Sequence, residues 1–592
     1  MIAPAGGNQK DYQMQLIIDT LCARSAATPE QTAFEFLSTT GAPLSALSYH
    51  ALERAAAGVA AMLRARGVPA GARVLLLCQP GPDYVAAFFG CLHAGAVAVP
   101  LYPPRNRLHV ARIVSVLRDA GASVVLSSRQ SIERCGAFFA EQGVSESMLV
   151  AVDGDALRDA EPGTPAAQRA DALAFLQYTS GTTGDPKGVM ISNGNLAHHL
   201  EMLNAWLGGE PGGTMVSWLP PYHDMGLISG LLAPVAGGYP CVLMPPESFA
   251  QNPFVWLDAV SRHRATISGG PNFAYGMCCK RLTDEQIATL DLSRWRLAFN
   301  GAEPVRQKTI DAFAQRFAAA GFEPLAMAPC YGLAEATLLV AGHEPNTLAH
   351  GLDVDRQILQ DERRAAPARD ASPMARDDAA RWRSIACIGR VTGGQHVLIV
   401  DPASGEPCAD GRVGEICVAG PSVAQGYWRR PELSEAVFRT VRDGVAGRAY
   451  MRSGDLGFLL DGELYVTGRL KDMIVISGRN YYSEDLEQTV TATQEKVVPN
   501  GCAAFVADHD ERENLVIVAE IERVERHGNL NDVVTDIQKE IWLKHEVNPH
   551  SVFLVSPGQL PKTSSGKVRR KACRRALEAG ELKVLAYWNG AG

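Results

Sequence analysis

The order of helical and strand-like stretches predicts an α/β chain with a mainly parallel sheet, followed by a β-rich part and a small α+β unit. Three observations carry this. Helical patterns and short apolar strands take turns through the first half. After residue 383 the texture changes to short strands and turns. From about Asp472 a shorter mixture of strands and one clear helix closes the chain.

Each element has its own signal. "YHALERAAAGVAAMLRARG", from Tyr49, has the apolar spacing of an amphipathic helix, and "ARVLLLC" reads as a buried strand. "YVAAFFGCLHAGAVAVPLY" (84–102) is apolar but interrupted by His93, two glycines and a proline, and falls short of the roughly 20 apolar residues of a span. A buried helix, a turn at Gly95 and a buried strand fit it better. "VARIVSVLRDAGASVVLSS" is a helix running into another strand, and the pattern recurs at "FVWLDAVSRHRATISGGP" and "TIDAFAQRFAAAGF". "HVLIVDPASGEP" and "GEICVAGPS" suggest hairpins, and "GELYVTGRLKDMIVISGRNYY" two strands flanking a turn. "CAAFVAD", "NLVIVAEIE", a helix over 530–545 and "HSVFLVSPG" make up the last unit, with a boundary near Arg469–Asp472. Residues 361–383, rich in Asp, Arg and Ala with two prolines, read as an exposed insertion or mobile loop.

The bulk numbers narrow the class. At 592 residues, 46% hydrophobic and 20% charged, the chain can bury a large core. A net charge of −8 argues against a general nucleic-acid binder. The thirteen cysteines form no CxxC pair, so reduced thiols in a cytoplasmic protein are expected, without a structural zinc. The first residues lack the basic segment and apolar core of a signal peptide, and none is expected.

"YTSGTTGDPKG" (178–188) has little that could fill a core. It follows the apolar run "ALAFLQ" and precedes "GVMISNGNLAHHL", so it is a loop between regular elements, where phosphate-binding loops sit. Free backbone N–H groups, hydroxyls and one lysine suit phosphate oxygens. The spacing is not that of a P-loop, and taken alone a surface turn explains it equally well. With its neighbours it closely resembles the phosphate loop of the acyl-adenylate-forming superfamily. "LSYHAL" (47–52), "FNGAEPV" (299–305), "YGLAEAT" (331–337), "RSGDLG" (452–457), "GRLKDMIVISG" (468–478) and "PKTSSGKVRR" (561–570) follow in that superfamily's order, over about residues 40 to 580. "WLPPYHDMGL" (218–227), "PCYGLAEATLLV" (329–340) and "GRNYYSEDLE" (478–487) resemble the fatty acyl-AMP ligases within it. Many relatives have Pro where this chain has Ser483.

The resemblance implies a fold and a set of roles. The N-terminal adenylation domain, 1–470, would hold two α/β-sheet subdomains and a β-barrel-like subdomain, with a family-type insertion around 345–385. Residues 471–592 would be a small mobile α+β domain. Thr179, Ser180, Gly181, Thr182, Thr183, Gly184 and Lys187 would hold the ATP phosphates. Gly301, Ala302, Glu303, Tyr331 and Gly332 would hold adenine, and Asp455 and Arg469 ribose. Glu335 would be a Mg²⁺ ligand, Lys471 the hinge and Lys567 the catalytic lysine. Read without the family, Glu335 is an exposed helix acid, Asp455 a turn residue and Lys567 a solvated side chain. His223 is either an aromatic gate beside the reaction or a satisfied core histidine. Met225, Gly226, Ile228, Gly270 and Phe273 lie in apolar stretches that could line an acyl pocket and would look the same as plain core.

A fatty-acid carboxylate, with a pKa of about 4–5, is already ionised at neutral pH, so its attack on a polyanion needs positioning and charge neutralisation. The activity implied is fatty-acid activation with ATP and Mg²⁺, then transfer to the phosphopantetheine arm of an acyl carrier protein. The alternatives are CoA as acceptor, or a binding protein on the same fold. Residues 561–583 carry eight basic against two acidic side chains, net +6: a solvated face, or a docking patch for an acidic carrier protein.

Overall fold

The computed structural model describes residues 15–104, 107–153, 163–179, 186–209, 212–370, 381–439, 441–442, 447–476, 479–509, 512–525, 528–563 and 567–589. The predicted α/β alternation forms two large sheets. The first has six strands in the order 149–151, 124–127, 73–76, 97–100, 173–179 and 187–192, all parallel except the last pair. Helix Pro82–His93, the turn at Gly95 (φ 72°) and strand Val97–Pro100 account for the most apolar stretch, which is buried. Among the described residues no helix is long and apolar enough to cross a membrane.

The second sheet is parallel at its centre, with strands 327–332, 297–301, 267–271, 215–217, 241–243 and 32–37 side by side. Buried aromatic side chains pack beneath it, among them Trp256, Tyr275, Trp295 and Phe313, with ring centroids 5.0 to 6.5 Å apart. The β-rich part predicted after residue 383 runs on from this sheet through antiparallel strands 339–342, 382–391, 463–469, 449–460, 414–419 and 396–400. It is an extension of the second sheet, not a separate one.

The last unit has its own core, with Ile517, Val534, Ile537, Ile541 and Leu554 fully or nearly buried between a four-stranded sheet and helices Ser483–Thr493 and Leu530–His545. The predicted 530–545 helix is present; Asn529 caps it by accepting from the Asn531 N–H. Residues 463–482 form three strands instead of the predicted two, because a single turn at Leu470–Asp472 breaks the run and passes the chain to the last unit. Of the predicted insertion, 371–380 lie outside the described residues; helix Arg356–Asp361 and strand Trp382–Val391 bracket it.

Candidate active site

A cleft of about 560 Å³ opens at the carboxyl ends of the parallel strands and is closed on one side by the last unit. Thr179 ends one strand and Lys187 begins its antiparallel neighbour, paired directly across. Both line the cleft, so the two strands that flank the glycine-rich segment meet it there. Ser180, Gly181, Thr182, Thr183 and Gly184 lie outside the described residues. The Lys187 ammonium lies 5.6 Å over the Tyr427 ring.

Across the cleft, Asp455 and Arg469 are register partners on adjacent antiparallel strands. Asp455 is buried; one carboxylate oxygen accepts from Tyr331 Oη at 2.9 Å and the other from Arg469 Nε at 3.1 Å. Asp455 raises the Arg469 guanidinium above its ordinary range. The carboxylate is thereby fixed in orientation and keeps free lone pairs toward the cleft. Tyr331 anchors Asp455 through its hydroxyl while its ring and Gly332 line the wall. Ala302 and Glu303 also line it. Ala302 holds a left-handed φ of 63°, a strained conformation for a residue with a Cβ. Gly301 lies just behind, where a Cβ would meet Cys330 Sγ at 2.6 Å. Burial raises the Glu303 carboxyl, and the Phe273 N–H donates to it.

Glu335 sits on a single 3-10 turn at the wall, not on an exposed helix. Its Oε1 accepts from Tyr427 Oη at 2.8 Å, and burial raises its carboxyl. A cation beside it would reverse that shift. His223 also lines the cleft, and its Nε2 is buried with no hydrogen-bond partner among the described residues. This is not a satisfied core histidine. Burial, then Lys567 and Arg112, lower its pKa to about 4, so it is neutral at pH 7. Lys567 enters from the last unit, its backbone N–H bound to Thr563 Oγ1 at 3.0 Å. Burial and Arg469 lower its pKa, while Glu303, Asp224 and Asp455 hold it up. Lys471 is exposed at the rim, on the turn between the two units.

The apolar residues divide differently from expectation. Met225 lines the cleft, at the start of a π-helical segment, Met225–Leu232, a form common at functional sites. Gly226 faces a second, smaller cavity of about 250 Å³ beside Tyr84 and Leu219. Ile228, Gly270 and Phe273 line neither. Ile228 is fully buried in the core, Gly270 admits the edge of Trp218, and Phe273 packs against Trp218 and Phe249. Apolar residues that do line the cleft include Ile113, Val116, Leu203, Trp206 and Leu207.

Two residues of the site, Asp224 and Tyr427, were not singled out in the sequence, and a third, Arg570, lies otherwise than its basic stretch suggested. Asp224, next to His223, lines the cleft. Tyr427 supports Glu335 from 92 residues away, with no local pattern to mark it. Arg570 is not part of an open basic face: it pairs with Asp472 at 2.6 Å and Glu487 at 2.7 Å, with Glu484 at 3.8 Å, its side chain only 13% exposed. The region flanking the insertion packs on the last unit. Arg383 Nε pairs with Asp485 at 3.0 Å, its guanidinium lies 4.3 Å over the Tyr482 ring, and Asn480 Nδ2 donates to the Gln360 carbonyl at 3.0 Å.

A profile of AMP-binding enzymes matches residues 22–428, and one of the AMP domain of Disco-interacting protein 2-like proteins matches 471–586. The chain is 38% identical to the medium-chain fatty acid–acyl-carrier-protein ligase JamA of Moorena producens, over 96% of each chain. It is 36% identical to the corresponding ligase TtuA of Teredinibacter turnerae, over 87% of this chain and 86% of that one. Among solved structures, it resembles the fatty acyl-adenylate ligase of Legionella pneumophila in complex with acyl adenylate and pyrophosphate. There the TM-score is 0.73 and the identity 36%, covering 98% of this chain and 99% of that one. The chain belongs to the AMP-binding enzyme family, in the group of fatty acyl-AMP ligases.

Proposed function

We propose that this chain activates a fatty acid with ATP to acyl-AMP and pyrophosphate, and then passes the acyl group to the phosphopantetheine thiol of an acyl carrier protein. The observation that carries it is the convergence of Lys187, Glu335, Asp455 and Lys567 on one cleft that apolar residues also line. A fatty-acid oxygen attacks the α-phosphorus, and the bond to the pyrophosphate oxygen breaks. The hairpin loop from Thr179 to Lys187 grips the phosphates that leave. Asp455 accepts from the ribose hydroxyls, and the adenine lies against Tyr331 and the backbone at Gly301–Ala302. Lys567 bridges the attacking oxygen and the α-phosphate, adding charge where it develops. His223, being neutral, orients the acyl carboxylate without exchanging a proton. Glu335 is the residue fitted to hold Mg²⁺, which when bound neutralises phosphate charge. The alkyl chain lies along Ile113, Val116, Leu203 and Trp206.

In the second step the thiol sulfur attacks the acyl carbon, AMP leaves and the thiol proton passes to solvent. Residues 471–592 turn about Lys471 to withdraw Lys567 and admit the arm, and the contacts of Gln360 and Arg383 bias that motion. With Arg570 buried, the basic surface open to an acidic carrier protein is reduced to Lys571, Arg575 and their neighbours. The reaction would take place in the cytoplasm.

The test supplies radiolabelled lauric acid, ATP and Mg²⁺, with CoA or phosphopantetheinylated carrier protein in parallel. Acyl-AMP that persists with CoA and is consumed by the carrier protein is expected. Efficient acyl-CoA formation would overturn the choice of acceptor, and no adenylate at any chain length would overturn the whole reading.

A further inference from the structure

On the far side of one cleft wall, three metal-ligating side chains meet outside the site just described. His343 follows strand Leu339–Gly342, His350 precedes strand Gly351–Asp355, and Cys387 lies on strand Trp382–Val391. One ligating atom from each lies within 4.8 Å of the other two. The sequence offered no such signal, because the three come from separate strands with no finger-like spacing.

The histidine chemistry points to a cation. His343 is buried. Thr347 Oγ1 donates to the Glu344 carbonyl at 2.6 Å, and its one proton is thereby used. It must accept from His343 Nε2, 2.9 Å away. His343 Nδ1 is then a bare lone pair, and this buried atom finds no hydrogen-bond partner among the described residues. Ligating histidines are commonly fixed in this way, with the second nitrogen donating to an outer group. Glu463 Oε2 lies 3.3 Å from His350 Nε2, an ion-pair distance that sets a carboxylate beside the second imidazole. The backbone is shaped for the approach: Gly389 (φ 102°) sits where a Cβ would collide with His343 Cα, and a register shift between Cys387 and Gly389 re-aims that strand.

We propose that His343 Nδ1, His350 and Cys387 Sγ bind a zinc-class divalent cation, with Glu463 orienting His350 and a fourth position open to solvent. Two imidazoles and a thiolate suit Zn²⁺ or Co²⁺ over Mg²⁺ or Ca²⁺. Tetrahedral bonds would set the ligand atoms about 3.3–3.6 Å apart, so the side chains must close by about 1 Å. The His350 side chain is 47% exposed and gives the ion its entry. Burial and Glu463 push the Cys387 thiol to about 12, so binding displaces its proton to solvent. Ala386 and Ile388, on either side of Cys387, line the active-site cleft, and Trp206 of the same cleft donates Nε1 to the His343 carbonyl at 2.9 Å. The ion would staple the 343–350 turn to the strand that forms this wall.

The test uses the full chain, reduced, stripped with chelator and titrated with Co²⁺ alone. One equivalent should give thiolate-to-cobalt charge transfer and the d–d bands of four-coordinate Co²⁺, both displaced by Zn²⁺. Cys387→Ser should abolish the charge transfer. Glu463→Gln should weaken Co²⁺ binding about 10–100-fold, and His350→Ala at least as much. No bands at stoichiometric Co²⁺, or bands unchanged in Cys387→Ser, would overturn the site. If Cys387→Ser fails to fold by circular dichroism, His350→Ala decides, since its exposed side chain supports no core; unchanged affinity there would also overturn it.

Discussion

Replacing Arg383 by Ala tests whether the region flanking the insertion holds the last unit in its observed seat. Two contacts cross from this side chain, and a third holds it in place. Its Nε pairs with Asp485 at 3.0 Å, its guanidinium stacks 4.3 Å over Tyr482, and its NH2 donates to the Thr467 carbonyl at 2.8 Å on its own side. Arg383 and Asp485 side chains are 11% and 14% exposed, so screening is weak. A close, poorly screened charge pair across an interface couples by about 1.5 kcal/mol or more, and a desolvated cation–π contact contributes about 0.5–2 kcal/mol. Arg356, which also attracts Asp485, offsets part of the loss. A net cost of about 2–3 kcal/mol shifts the seated-to-released ratio roughly 30–150-fold. Amide hydrogen exchange reads this directly. Protection across 479–485 should fall by that factor, while helix Leu530–His545, inside the last unit's own core, should not change. If Lys567 acts from the cleft as proposed, adenylate formation should slow relative to transfer from supplied acyl-AMP. Unchanged protection at 479–485, or equal slowing of both half-reactions, would refute the reasoning.

Lys567→Met should cut adenylate formation by about 10²–10³, the cost of removing one preorganised charge. Transfer from supplied acyl-AMP should stay within a few fold, and parallel loss of both steps would remove Lys567 from its role. Glu335→Gln keeps a partner for Tyr427 and removes the charge. The Mg²⁺ needed for half-maximal adenylation should rise about tenfold or more, on the order of 1.4 kcal/mol; an unchanged Mg²⁺ titration would assign the metal elsewhere. His545, 3% exposed and hydrogen-bonded to Thr489, has a folded pKa of about 4, below the ordinary 6.5, through burial first and Arg356 next. The unfolded chain therefore takes up a proton that the folded chain refuses. That stability is present above about pH 6.5 and is lost as pH falls toward 4. His545→Gln should reduce the loss in unfolding free energy between pH 7 and pH 5 by about 2 kcal/mol, measured by denaturant titration; an unchanged loss would mean that this histidine is charged in the fold.

What the sequence reveals depends on whether a feature is local. The strand ends at Thr179, Gly301 and Gly332 and the turn that carries Lys471 follow from apolar runs stopping at glycine-rich or polar segments. The helix at 530–545 follows from its apolar period and its cap. By contrast, whether Ile228 or Met225 faces a cavity is not encoded in hydrophobicity, since both need an apolar side chain. Here a π-helical turn, invisible to a 3.6-residue pattern, decides it. The Tyr427–Glu335 bond and the Asp119–Tyr178–Arg430 network join segments that only the fold brings together. Arg570 misled for a related reason. Its sequence neighbours are basic, and the acids that bury it come from 472, 484 and 487.

That burial bears on how the last unit could move. Removing one partner from a buried ion pair costs about 3–5 kcal/mol, so the Arg570 cluster would not open readily during a reaction cycle. All four of its members lie at or beyond residue 472, on the side of the turn that carries Lys567. A rotation about residues 470–472 leaves the cluster whole, and Lys567, three residues before Arg570, travels with it. The contacts such a rotation must break are of another kind. Among the described residues they include two ion pairs (Arg383–Asp485 and Arg479–Asp361), the stack of Arg383 on Tyr482, the bonds of Asn480 to the Gln360 carbonyl and Arg363, and the packing of Tyr482 against Val354 and Leu456, together with the attraction of Lys567 to Glu303 and Asp224. On the proposed reading, Lys567 loses an attraction once phosphate charge leaves the cleft as pyrophosphate, and the contacts of Arg383, Arg479, Asn480 and Tyr482 remain across the seam. On the proposed motion, the buried Arg570 cluster stays within the last unit, and the contacts that break are those across the joint. That division is what an enzyme needs if one lysine must be present for the first step and absent for the second.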